Sequence, residues 1–362
     1  MLSSIYLFFR KEPHYFQGLC AILVFYGFYF FVAGSFHKSA PRSSKEITAF
    51  QTAEKKWNKD MEREEAFRDF TEKKPVLASL FQIMTAFFFF AFTAGIILDG
   101  FFLYKRSFRR DLTGSLSPPV NQAWPFSVLF KVIILYMLWG IVLSVLMGLF
   151  QPLFPKVFTD NFYMIFHTLA LHIITLGYMV KFVTQQGNGW RDLGIRIPAV
   201  REVFREIGVG LTGYFGVLPL FAVTVSIILA VSSLIHYEPP PHPLMTVFLE
   251  ERRAPFLLGM SLLLGTVIGP IFEEIFFRGF CYPVLRNRWG KFWAMALSAT
   301  FFAGIHGSGF VFWPIFVLGV ALAYLYEKRR SLIASVTLHI VHNTLFITYF
   351  FLVRQIVGDR GV

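Results

Sequence analysis

The sequence predicts an all-α protein: a polytopic transmembrane helical bundle of about nine spans, with a buried polar cavity in its C-terminal part. Three observations predict it. Of 362 residues, 55% are hydrophobic and 15% charged, where soluble domains carry roughly a quarter charged. Apolar stretches recur at the roughly 17–25 residues needed to cross a bilayer. These stretches are continuous rather than alternating in polarity, which argues against a transmembrane β-barrel. A soluble enzyme, a disordered chain and a disulfide scaffold are excluded together. The two cysteines, Cys20 and Cys281, form neither a metal-type cluster nor a disulfide framework.

In chain order the expected spans are 18–36, 76–104, 127–150, 162–183, 207–236, 256–281, 292–309, 310–326 and 331–353. The first is long and aromatic, and no small-residue cleavage pattern follows it, so it reads as an anchor rather than a signal peptide. Lys131, near the start of the third span, can reach the headgroups. His167 and His172 on the fourth read as hydrogen-bonded interhelical histidines. Pro219 is expected to kink the fifth. The seventh and eighth are short and join through Gly307-Ser308-Gly309. No internal repeat is visible, so a repeat-built transporter gains no support.

The net charge of +12 is explained by topology. Assigned to alternating sides, sixteen basic residues fall on the side of the N-terminus and five in the short loops and tail of the other. The positive-inside rule then places the N-terminus in the cytoplasm and the C-terminus outside. Contact with anionic headgroups accounts for the basic loops, and nucleic acid is not expected as a partner. The charged outer loop at 37–75 contains a Glu/Lys-rich stretch, 54–74, that reads as a solvated helix on the membrane surface.

Ionisable side chains inside spans are costly, and their default reading is functional. The sixth expected span holds Glu273, Glu274 and Arg278, the seventh His306, and the ninth His339, His342 and Asn343. Glu274 and Arg278 are spaced i, i+4 and can pair on one face. Glu273 is rotated from that face by about 100°. His339 and Asn343, again i and i+4, project together, whereas His342 is offset. By residue count Glu273 and His339 lie at a similar depth of about 12 Å, with His306 deeper at about 20 Å. A carboxylate beside a histidine can hold and deprotonate water. A second histidine with a carboxamide can donate to a developing oxyanion. These are the parts of a peptide hydrolase. A Glu with two His is also a possible zinc set on composition alone.

The stretch Pro270-Ile271-Phe272-Glu273-Glu274-Ile275-Phe276-Phe277-Arg278-Gly279 resembles the EExxxR motif of the CAAX prenyl protease and bacteriocin-processing family of intramembrane glutamic endopeptidases. Phe302-x-x-x-His306 resembles its FxxxH motif, and His339-x-x-x-Asn343 its HxxxN motif. The stretch Trp190-Arg191-Asp192-Leu193-Gly194-Ile195-Arg196 looks like the loop often found upstream of that family's core. The resemblance implies a catalytic core at 186–353, preceded by an N-terminal membrane region at 1–185 and followed by a short tail at 354–362. It implies that Glu273 activates water with help from His306. His339 and Asn343 would form the oxyanion hole, with His342 as the other candidate for the histidine. Glu274 and Arg278 would organise the site, and no metal or other cofactor would be needed. The expected partners are a peptide or lipidated protein substrate and the bilayer, at the plasma membrane. The alternative is a non-catalytic membrane protein, such as a bacteriocin-immunity or partner-binding factor.

Overall fold

The computed structural model describes residues 8–36, 68, 70–107, 124–155, 159–187, 189–195, 199–235, 255–307 and 309–358. Most of the expected surface helix at 54–74 lies outside them. Every regular element among the described residues is helical. The helices are α1 (Pro13–Phe36), α2 (Pro75–Ser107), α3 (Phe126–Phe150), α4 (Asp160–Gln185) and α5 (Val200–Leu234), then α6 (Pro255–Leu263), α7 (Gly269–Glu274), α8 (Tyr282–Gly304), α9 (Gly309–Arg329) and α10 (Leu332–Gly358). Two π-helical segments, Leu264–Ile268 and Ile275–Cys281, join α6 to α7 and α7 to α8.

Among the described residues, seven helices are long and apolar enough to cross a membrane. One of these runs from Phe256 to Gly304, well beyond the roughly 20 residues of a single pass. It turns at Gly290, whose φ of 76° and ψ of 171° are not helical. The sixth and seventh expected spans are therefore the two arms of this path. Each of the other expected spans carries its own helix, and the eighth is set off by a turn at Gly307 (φ 68°). The molecule is a multi-pass membrane protein, and its exposed side chains are apolar along the spans: Phe89 is 76% exposed and Leu234 80%. Such surfaces suit lipid, which has no water to offer a polar group.

The chain divides into two compact units. One comprises residues 19–91 and 344–362; within it Phe88 packs edge-on against Tyr349 and Phe346, and Phe70 is buried with Ala78. The other comprises residues 1–18 and 92–343 and carries every candidate site residue. Its core gathers Trp124, Val132, Met179, Phe280, Tyr282 and Tyr326. Trp124 stacks on Phe280 and donates its indole N–H to that residue's carbonyl at 3.2 Å.

Ion pairs fix this larger unit at one end. Arg329 on α9 meets Glu206 on α5 with a closest approach of 2.5 Å, both nearly buried. Glu327 collects Arg286, Arg330 and the Tyr282 hydroxyl at 2.8–2.9 Å. Two glutamates thus pair three arginines of the basic loops within the protein. Lys131 pairs with Glu12, which adds a protein partner to the reach toward headgroups expected from sequence.

The Trp190–Leu193 segment forms a 3₁₀ turn. Asp192 accepts a 2.7 Å bond from the Gly189 amide, and Gly194 closes the turn with φ 81°. Leu193 is fully buried. Its carbonyl lies directly against Gly279, where a β-carbon would collide with it. Gly279→Ala is therefore expected to destabilise the protein by about 1–3 kcal/mol, because the obstructing atom is backbone. Thermal unfolding of the protein in lipid nanodiscs would measure this, and an unchanged midpoint would contradict the packing.

Candidate functional site

The site begins with an ion pair within one helical path. Arg278 donates to Glu274 at 2.6 Å, with both side chains fully buried. A second guanidinium nitrogen donates to the Gly319 carbonyl on α9 at 3.1 Å. The plane of charge lies 4.7 Å from the centre of the Phe302 ring, at cation–π range. Two polar atoms of the pair, Glu274 Oε2 and Arg278 Nε, are buried with no hydrogen-bond partner.

His339 extends this pair across to α10. Its Nδ1 lies 3.1 Å from Glu274 Oε1. Because Glu274 faces a guanidinium, its carboxylate accepts and the imidazole donates. The other ring nitrogen, Nε2, faces Glu273 Oε2 at 3.6 Å. One imidazole therefore lies between two glutamates that occupy consecutive positions, and Glu273 keeps a partly exposed side chain while Glu274 is sealed. The 100° step between neighbours on a helix produces this division.

His306 follows the end of α8. Its Nδ1 lies 2.7 Å from the Phe302 carbonyl. A carbonyl only accepts, so Nδ1 carries the proton and Nε2 of the neutral ring presents a lone pair. The Phe302 ring packs edge-on against His306 at 5.0 Å and against His339 at 5.5 Å. Despite their different depths by residue count, both imidazoles abut one phenyl ring. Glu273 makes no direct hydrogen bond to His306.

Asn343 lies one turn beyond His339. Its carboxamide N–H donates to the Gly265 carbonyl at 2.9 Å. His342 faces elsewhere, with its ring 4.8 Å from Phe221 and 6.1 Å from Tyr214, both on α5. Of the two histidines, His339 is the one the structure brings to the glutamates. Among the described residues no three His, Cys, Asp or Glu side chains converge as a metal-ligand set.

Two contributions to the site had no assigned role in the sequence reading. The Phe302 ring, which meets Arg278, His306 and His339, was marked there only as the first residue of the FxxxH spacing, one turn before His306. Gly319 contributes only a carbonyl and leaves no signature. His172 on α4 stacks flat on Phe272 at 5.0 Å, with its Nδ1 buried and unpartnered, whereas a hydrogen-bonded state was expected. His167 does make such bonds, at 3.1 Å to the Gly140 carbonyl and 3.3 Å to Ser144.

Comparison with known proteins finds a likeness over the stretch that carries this geometry. Residues 255–345 match the family model described as Type II CAAX prenyl endopeptidase Rce1-like. That stretch contains all six site residues. The chain is also 35% identical over 88 residues to the UPF0177 protein YaiF of Lactococcus lactis subsp. lactis (strain IL1403), a match covering 23% of this chain and 38% of the relative. The chain thus spans well under half of the curated relative it matches. No solved structure matches.

Removing Arg278 would leave Glu274 charged and buried without its partner. Arg278→Ala is expected to destabilise the protein by about 3–5 kcal/mol, and a double Arg278→Met, Glu274→Gln variant by less. The check is the unfolding midpoint of the two variants, and an equal loss in both would show that the pair is not coupled.

Proposed function

We propose that the protein is a membrane endopeptidase whose Glu273 activates water for attack on a peptide carbonyl. The observation that carries this reading is the position of His339, between the sealed Glu274–Arg278 pair and the more open carboxylate of Glu273. Glu273 is the general base. The Nε2 lone pair of His306 is the second acceptor for the same water, since its Nδ1 is committed to Phe302. As water oxygen bonds to the carbonyl carbon, its proton passes to Glu273 and negative charge develops on the former carbonyl oxygen.

His339 and Asn343 donate to that oxygen. With Nδ1–H directed at Glu274, a donor at Nε2 requires an imidazolium. The charge count suits that form: two carboxylates, one guanidinium and one imidazolium sum to zero. After proton transfer to Glu273 the negative charge resides on the oxyanion, and the total is unchanged. Collapse of the tetrahedral intermediate breaks the C–N bond, and Glu273 returns its proton to the departing amine. Glu274 and Arg278 take no proton and serve to hold His339 in place. No metal enters this sequence.

The substrate class proposed is a membrane-associated peptide or lipidated protein, cut near the cytoplasmic face. The N-terminus is cytoplasmic and the C-terminus outside in this reading. Residues 186–353 form the catalytic region, preceded by a membrane region at 1–185. The test is cleavage of fluorogenic peptides, with and without a prenylated C-terminal cysteine, by the purified protein in nanodiscs. Glu273→Gln is expected to lower turnover by a factor of about 10²–10⁴ with its unfolding midpoint unchanged, and Asn343→Ala by about 10²–10³, together with a modest drop in midpoint as the Gly265 carbonyl loses its donor. Undiminished cleavage by Glu273→Gln would end the proposal.

A further inference from the structure

Asn343 is aimed by a backbone carbonyl, and the helix geometry around Leu264–Pro270 explains why that carbonyl is free. In this π-helical segment the Gly269 amide donates to the Leu264 carbonyl, five residues back. The next rung in that register would run from the amide of residue 270 to the Gly265 carbonyl. Residue 270 is proline, which has no N–H. Gly265 is left with an acceptor that its own helix cannot satisfy, and an unpaired carbonyl away from water is costly. The Asn343 carboxamide fills it at 2.9 Å. The tight preceding rung needs Gly269, where a β-carbon would lie 2.8 Å from the Leu264 carbonyl oxygen.

We infer that Pro270 is a positioning residue: by leaving the Gly265 carbonyl free, it fixes the carboxamide of Asn343 in the orientation that the reaction uses. A carbonyl accepts only from the amide nitrogen, so the Asn343 side chain has one orientation rather than two flipped ones. Its nitrogen carries two protons. One is spent on Gly265, and the second stays with an atom whose location is now set. Pro270 and Glu273 sit three residues apart on α7, so the same short helix that presents the base also sets the donor on α10. This inference rests on the proposed peptidase reading for its catalytic consequence, but the orientation itself can be tested without any reaction.

The experiment is Pro270→Ala, which restores an N–H at the vacant rung. The new amide is expected to capture the Gly265 carbonyl and release Asn343. The side-chain amide signal of Asn343 in ¹⁵N-labelled protein, assigned by its loss in Asn343→Ser, is expected to shift and broaden. Turnover is expected to fall on the order of ten- to a hundredfold with KM unchanged. In an Asn343→Ala background the same replacement should have no further effect on turnover. The unfolding midpoint should not drop, because the helix gains a hydrogen bond. An unshifted Asn343 signal would overturn the inference whatever the activity. So would an equal loss of turnover in both backgrounds, or a lowered midpoint that accounts for the loss. If Glu273→Gln retains full activity, the peptidase reading fails, and the Asn343 signal still decides the orientation.

Discussion

The site depends on one buried ion pair. Arg278 and Glu274 neutralise each other one helical turn apart, and everything else in the cluster is placed by reference to them. The guanidinium spans three neighbours: a carboxylate on its own helical path, a carbonyl on α9 and the face of Phe302. The carboxylate in turn anchors His339 on α10. A charged pair in a medium of low dielectric is retained only where its geometry is good and further polar groups close around it, here the Gly319 carbonyl and the His339 ring. That requirement draws α7, α9 and α10 together, and it leaves the adjacent Glu273 outside the sealed pair.

The sequence made much of this legible because membrane helices obey strong rules. Continuous apolar runs marked each span, since a backbone in lipid must satisfy its own hydrogen bonds. The i, i+4 spacing of Glu274 and Arg278 foretold their bond. That of His339 and Asn343 foretold a shared face, and the offset of His342 foretold its different surroundings against α5. Counting depth along separate helices was less reliable. It put His306 out of step with His339, because residue counts carry no information on how far each helix enters.

Other features were hidden for a physical reason. A 3.6-residue period describes side chains, and the π segments are changes in backbone register that leave the apolar pattern intact. The carbonyls of Gly265 and Gly319 belong to residues with no side chain, so neither could be nominated by composition. Gly269-Pro270 was the one local sign of a register change. The ion pairs of Glu206 and Glu327 were equally invisible, because arginines counted along the chain as loop charges say nothing about which carboxylate folds back to meet them.

The placement of the Glu274–Arg278 pair on one helical path also bears on how the chain enters the membrane. Partners on different helices would have to cross the bilayer as separate ions and find each other afterwards. Partners one turn apart meet as soon as the helix forms, so the translocon handles a compact dipole. The turn at Gly290 leaves almost no loop between the two arms of that path. The arms are consequently suited to partition as a single hairpin, delivering the acidic motif and His306 to the lipid in one insertion event.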